Sequence, residues 1–338
     1  MLKVFLKKYD TLIFDMDGVM TSEQGYWNAT ALSVYEMLHS KNYFGNEDVD
    51  INSLAKSVKA VREEIFFSDK LITALKKKGV NSNWDLAYVT LAFCFIYGSG
   101  EKEIFAAVDA MSDNVLDEYE IIGEKLSECI HKDISYTKRN GGLWIEIFEC
   151  FQEWYLGSEL YEKTYNKASA KSKPGLIYDE EPLGTTEDLQ KLTKELAAAG
   201  KRLCVATGRV NEEIVPHLKK WDIYKYFDEN AIISFDYVQR AEKSLEGETL
   251  TKPHPYMFLK ALYGSDYDDE KIVKGDYDKS KIFSTLVVGY AGADILAAQA
   301  MNADFCAVLT GVSGQEARGY FESAKSDYIL DTVMNLLD

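Results

Sequence analysis

Two carboxylates, Asp15 and Asp17, follow an apolar run and precede a glycine in the stretch TLIFDMDG. The apolar residues at 12–14 predict a buried strand, and Gly18 predicts a turn after it. A carboxylate held at the tip of a buried strand can act as a nucleophile on phosphorus. The second acid points to the same side of an extended backbone, so it can protonate a leaving oxygen and later deprotonate a water. This pair therefore indicates phosphoryl-transfer chemistry.

A calcium-binding EF-hand loop does not explain the two acids. Such a loop needs glycine at its sixth position and glutamate at its twelfth. Counted from Asp15, the glycine comes fourth and the twelfth residue is Tyr26. A plain acidic turn after a strand, or a structural helix cap, is the simpler alternative and stays open on these residues alone.

Three further polar groups favour the same chemistry. Each lies at the end of a later predicted strand or in a loop. Thr207, with Gly208, ends the apolar run LCVA, and its hydroxyl can donate to a phosphoryl oxygen or cap the next helix. Lys252 precedes Pro253, which predicts a helix starting at that proline, and its ammonium can neutralise phosphoryl charge. Asp294 comes just beyond the run TLVVG, as a ligand or as a helix cap. We expect these groups to meet at one edge of a sheet.

The elements that must position these groups alternate between helix and strand from residue 174 onward. The segment TTEDLQKLTKELAAAG predicts a helix capped at Thr185, and strands are predicted at RLCVA, AIISFD, TLVVG, DFCAVL and YIL. Helices are predicted between the strands, and the acidic stretch 264–280 is predicted to be a solvated loop. This alternation predicts an α/β fold with a Rossmann-like, doubly wound parallel sheet.

The first crossover of that sheet is far too long for one helix. A strand–helix–strand unit takes roughly 30 residues, whereas residues 15–201 separate the first predicted strand from the second. Residues 22–173 are rich in aromatic residues at helical spacing. We therefore predict a core domain of residues 1–21 and 174–338 with an inserted all-helical cap domain at 22–173. A cap at this edge could close over a ligand.

Composition narrows the classes of function. The net charge of −17 argues against nucleic-acid binding and against an anionic membrane surface. The five cysteines form no C-x-x-C pair, and the start MLKVFLKKYD lacks the apolar region of a signal peptide. We expect free thiols and a cytoplasmic protein whose partner is a small phosphorylated metabolite. The sequence leaves monomer and homodimer open.

The ordered set of motifs resembles the haloacid dehalogenase-like (HAD) superfamily of phosphohydrolases. A strand with D-x-D-G-V-x-T, a strand with T-G, K-P-x-P and a strand with G-x-x-x-x-D occur in the family's order. The insertion resembles the helical cap of its phosphoglycolate phosphatase-like branch, enlarged. The resemblance implies Asp15 as nucleophile, Asp17 as general acid and base, Thr207 and Gly208 as phosphate-binding residues, and Lys252 in charge stabilisation. It also implies Mg²⁺ held by Asp15, the Asp17 carbonyl and Asp294.

One position departs from the family pattern. The family has Gly-Asp after the TLVVG strand, and this chain has Gly289-Tyr290. A phenol with a pKa near 10 is neutral at pH 7 and a poor magnesium ligand. The expected function is Mg-dependent hydrolysis of a small phosphomonoester through an aspartyl-phosphate. The alternatives are an impaired relative that binds a phosphorylated ligand or acts as a regulatory module, and a phosphomutase.

Overall fold

The computed structural model describes residues 2–80, 82–112, 114–169, 172–245 and 249–338. The chain divides into two compact units. One unit contains Met1–Glu23 together with Glu181–Asp338, and the other contains Gln24–Glu180. The function of the second unit as a cap stays a prediction. Each of the five cysteines is a free thiol, as predicted.

The first unit is built on one six-stranded sheet in which every neighbouring pair is parallel. Its strands lie in the order β3-β2-β1-β4-β5-β6. This confirms the predicted doubly wound parallel sheet, whose order reverses between β1 and β4. The strands are β1 (Thr11–Phe14), β2 (Arg202–Ala206), β3 (Phe227–Ile233), β4 (Thr285–Gly289), β5 (Asp304–Val308) and β6 (Tyr328–Leu330).

Two apolar clusters cover the two faces of this sheet, so its central strands are buried on both sides. Leu12 and Phe14 of β1 join one cluster, and Ile13 joins the other. Such two-sided burial explains why these strands read as continuous apolar runs. Seven helices of the described ranges belong to this unit: α11 (Thr186–Ala198), α12 (Asn211–Lys220), α13 (Phe235–Ser244), α14 (Tyr256–Tyr263), α15 (Asp269–Lys274), α16 (Gly292–Met301) and α17 (Arg318–Ser323).

Every named secondary-structure element of the second unit, in its described ranges, is a helix. Ten helices fall there, between β1 and β2 in the chain. They are α1 (Gln24–His39), α2 (Ile51–Lys56), α3 (Val58–Phe66), α4 (Lys70–Lys77), α5 (Asn83–Tyr97), α6 (Glu101–Asp109), α7 (Val115–Ile130), α8 (Ile134–Thr137), α9 (Gly142–Leu156) and α10 (Ser158–Tyr165). None of the described helices in either unit has the length and apolar character that crossing a membrane requires.

Two local predictions are wrong. The helix predicted to start at Pro253 begins only at Tyr256. The reason is that a residue before proline disfavours the helical conformation, and His254 precedes Pro255. The His254 ring instead accepts the backbone N–H of Tyr256 at 3.1 Å, through Nδ1. Lys252 therefore lies in the turn that leads to α14.

The acidic stretch 264–280 is the second wrong prediction, because it contains α15. Asp268 caps this helix by accepting the backbone N–H of Lys271 at 2.9 Å. Ile272 is buried in the core, and Asp269 pairs with the buried Lys260 at 2.6 Å. A cap, one apolar anchor and one ion pair thus order a segment whose composition indicated a loop.

Candidate active site

The predicted site residues surround the point where the strand order of the sheet reverses. Asp15 directly follows β1, and Tyr290 directly follows β4. The backbone N–H of Asp15 donates to the Val288 carbonyl at 3.0 Å, which continues the pairing of these two strands. In open α/β sheets, ligands bind at the carboxyl ends of the strands at such a reversal.

Lys252 contacts residues from three other chain segments at this edge. Its Nζ lies 3.2 Å from Asp15 Oδ1 and 2.9 Å from Asp294 Oδ1, and it donates to the Ala206 carbonyl at 3.1 Å. The ammonium also lies 4.9 Å from the centre of the Phe258 ring. The structure therefore brings Asp15, Lys252 and Asp294 together, with the end of β2 beside them.

Asp15 is buried and lies in a field that works against its ionisation. Burial raises its pKa to about 7, and the nearby charges of Asp294 and Asp17 act in the same direction. Lys252 and the Met16 backbone N–H, which donates to Oδ1 at 2.8 Å, oppose this shift. No described residue donates a hydrogen bond to the second carboxylate oxygen, Oδ2. Asp15 thus keeps one oxygen free for a ligand.

Asp17 is held by a buried arginine that the sequence analysis did not assign to the site. Arg209 Nη2 lies 2.6 Å from Asp17 Oδ1 and Nε lies 3.1 Å from it. The same Nη2 donates to Thr21 Oγ1 at 3.0 Å, and that hydroxyl donates to Asp17 Oδ1 at 3.0 Å. The position of Arg209, two residues after Thr207 at the end of β2, was the available signal for this role.

Thr207 and Gly208 follow β2 as predicted. Thr207 is fully buried, and its Oγ1 accepts the backbone N–H of Arg209 at 3.4 Å. It does not cap α12, which begins at Asn211 after Val210. A Cβ atom added at Gly208 would meet nothing within 4 Å, so the space around this glycine is open.

Tyr290 is inserted between two glycines at the edge of the site. A Cβ atom on Gly18 would lie 2.5 Å from the ring, and one on Gly311 would lie 2.1 Å from its Cδ2 atom. Burial raises the pKa of the phenol well above its usual range, and the charges of Glu23, Asp17, Asp15 and Asp294 raise it further. The ring therefore packs on the D-x-D-G turn as a neutral phenol. Glu23, which is buried, was also missed by the sequence analysis.

Asp294 uses its carboxylate to order the loop that contains Tyr290. Its Oδ2 accepts the backbone N–H of Ala291 at 3.0 Å and that of Tyr290 at 3.2 Å, while Oδ1 pairs with Lys252. It is the third residue of α16, since the helix begins at Gly292. Both of its oxygens are therefore engaged by the protein.

As arranged, the carboxylates do not fit a Mg²⁺ ion. Magnesium requires near-octahedral oxygen coordination, but the oxygens of Asp294 are engaged and Asp15 has only one without a partner. The phenol stands where the family pattern has a third carboxylate. In the described ranges, no group of three or more His, Cys, Asp or Glu side chains is arranged to hold a metal ion. The ligand set of Asp15, Asp17 and Asp294 stays a prediction that this arrangement does not support.

Comparisons with known proteins agree with the architecture of the first unit, which contains the parallel sheet. The family profile described as HAD-hydrolase-like matches residues 249–336. The pyrophosphatase PpaX of Bacillus mycoides (strain KBAB4) is 24% identical over 192 residues, which cover 54% of this chain and 76% of that protein. An X-ray structure from the Northeast Structural Genomics Consortium is 28% identical, with a TM-score of 0.82 over 97% of both chains. The similarity to that structure therefore extends over both units of the chain.

Proposed function

We propose that this chain is a hydrolase of the haloacid dehalogenase-like superfamily, and that it hydrolyses a small phosphomonoester through a phosphorylated Asp15. The observation that carries the proposal is the position of Asp15 at the tip of β1. One carboxylate oxygen is paired with Lys252, and no described residue hydrogen-bonds to the other. A buried carboxylate fixed in this way can attack phosphorus without first giving up its partner.

The reaction takes two steps at this carboxylate. Oδ2 of Asp15 attacks phosphorus, the ester P–O bond breaks, and Asp17 supplies a proton to the leaving oxygen. Asp17 then takes a proton from water, which attacks phosphorus and releases phosphate and free Asp15. Lys252 remains beside Asp15 in both steps and offsets negative charge on the transferred group.

Two residues at the end of β2 complete the proposed phosphate site. Thr207 and Gly208 would contact the phosphoryl oxygens through a hydroxyl and a backbone N–H. Arg209 would act on Asp17, because its guanidinium pairs with Oδ1 and leaves the other carboxylate oxygen to exchange the proton. We infer a small phosphorylated metabolite as substrate. Mg²⁺, which the resemblance implies, supplies no step here because the residues do not fit it.

Binding of a phosphorylated ligand without turnover is the second candidate. It is favoured by the engagement of both Asp294 oxygens and by the phenol of Tyr290 at the position of a family carboxylate. In that case Asp15, Lys252 and Thr207 would hold a ligand whose phosphoryl group is not transferred. A phosphomutase shares the first step and differs in returning the phosphoryl group to an organic acceptor.

Phosphatase assays on a generic aryl phosphate separate these functions. Wild type, Asp15→Asn and Tyr290→Asp would be compared with Mg²⁺ and with a chelator. Turnover by the wild type that disappears in Asp15→Asn is the expected result. Turnover only in Tyr290→Asp would favour the binding function, and inactivity of all three would overturn the hydrolase. As the matched control, Asp10→Asn removes an exposed carboxylate before the same strand.

A further inference from the structure

Residues from several parts of the chain accommodate the side chain and the backbone of Tyr290. Its ring is enclosed by Gly18 and Gly311, and a single methyl group at either glycine would overlap it. The loop that contains it is fixed by Asp294, which accepts the backbone N–H groups of Tyr290 and Ala291. Two glycines from other loops thus leave space for this ring, and Asp294, four residues after Tyr290, orders its backbone.

Replacing a carboxylate by a phenol changes the charge balance of the site. The charges of four acids (Asp15, Asp17, Glu23 and Asp294) act on Tyr290, and these acids include both carboxylates that pair with Lys252 and the one that pairs with Arg209. A fifth carboxylate at position 290 would add a metal ligand and increase the need for a cation. The phenol does neither, since it is neutral at pH 7. It still offers one O–H donor, which suits a phosphoryl oxygen.

From this geometry we propose that Tyr290 takes the place of the metal ion, so that the site binds a phosphoryl group without Mg²⁺. In this arrangement the phenol donates a hydrogen bond to a phosphoryl oxygen beside Asp15, and Lys252 provides the positive charge. The inference rests on the proposed function for the identity of the ligand. It needs no turnover, so binding and catalysis can be tested separately.

Binding of inorganic phosphate, measured by calorimetry, tests the proposal directly. We expect wild type to bind phosphate with the same affinity in Mg²⁺ and in a chelator. Tyr290→Phe keeps the ring but loses the donor, and its affinity should fall on the order of tenfold or more, again without dependence on metal. The control Tyr320→Phe removes the hydroxyl of a half-exposed tyrosine and should bind phosphate as wild type does.

The thermal unfolding midpoint in Mg²⁺ alone provides a second readout that does not depend on activity. Mg²⁺ should leave the midpoint of wild type unchanged and raise that of Tyr290→Asp, because that variant regains a hard anionic ligand. An increase in wild type that is lost in Asp15→Asn would overturn the proposal. So would wild-type affinity for phosphate in Tyr290→Phe, or no phosphate binding by wild type. Failure of the hydrolase proposal would appear instead as metal-independent phosphate binding without turnover.

Discussion

Tyr290 and Gly311 share one space, because a Cβ atom at position 311 would lie 2.1 Å from Tyr290 Cδ2. The two residues follow neighbouring strands, β4 and β5, and the contact fixes the ring against the site. Gly311 does not have a positive φ angle, so alanine is compatible with its backbone conformation. The restriction at position 311 therefore comes from the tyrosine ring.

Gly311→Ala should destabilise the protein by about 1–3 kcal/mol, the usual cost of an added methyl group in a filled space. The cost should fall in a Tyr290→Ala background, where the ring is absent. Urea unfolding of the four proteins in this double-mutant cycle measures the coupling. Gly208→Ala is the matched control, since a Cβ atom there meets nothing within 4 Å. Equal costs in both backgrounds would contradict the contact.

The raised pKa of Asp15 predicts how stability changes with pH. Its pKa is about 7 in the fold and 3.8 in the ordinary case, so the unfolded chain releases the proton first as pH rises. The unfolded chain has lost this proton between about pH 4 and pH 7, whereas the folded chain still holds it. The free energy of unfolding therefore falls as the pH rises over this range. Asp15→Asn removes this effect, and its stability relative to wild type should increase over that range by a few kcal/mol. Denaturant unfolding at pH 4.5, 6 and 8 measures the difference, and a difference independent of pH would contradict it.

Arg209 should contribute to stability through its pair with Asp17. The guanidinium is buried, with 1% of the side chain exposed, whereas Asp17 is 18% exposed. Arg209→Met keeps the volume but leaves Asp17 without its cation, and we expect a loss of about 3 kcal/mol in the free energy of unfolding. Arg318→Met, which removes an exposed pair with Asp331, should cost less than about 1 kcal/mol. Equal effects of the two substitutions would argue against a buried pair.

The helical unit contains its own buried ion cluster, centred on Lys173. Its Nζ lies 2.9 Å from Glu36 Oε2 and 3.0 Å from Glu153 Oε2, and the side chain is 1% exposed. Lys173→Met should destabilise the protein by about 3–5 kcal/mol, because two buried carboxylates lose their cation. Lys167→Met, at the exposed pair with Glu149, is the control and should cost less than about 1 kcal/mol. Thermal unfolding checks both, and a small effect at Lys173 would show that the cluster tolerates the loss of its cation.

The sheet could be predicted from the sequence because its signals are local. The runs at β1 and β4 are continuously apolar, and the capping threonine of α11 does accept the backbone N–H of Asp188, at 3.1 Å. The order of the polar groups along the chain then predicted which strand ends they follow. The structure brings both Asp15 and Asp294 within ion-pair distance of Lys252.

The remaining features depend on contacts between distant segments. The position of Arg209 just after β2 indicates this edge of the sheet, but it does not specify that the guanidinium pairs with Asp17, which precedes it by 192 positions. The space for Tyr290 is created by glycines from two other loops, so the sequence alone indicated only the loss of a carboxylate at this position. The same holds for Lys173 and Glu36, whose pairing depends on how helices of the second unit pack.

Acid-quench peptide mass spectrometry during turnover of an aryl phosphate shows whether Asp15 carries the phosphoryl group. A phosphoryl adduct on the peptide that contains Asp15, present in wild type and absent in Asp15→Asn, is the predicted result. Turnover without an adduct at Asp15, or turnover that persists in Asp15→Asn, would show that Asp15 is not the nucleophile.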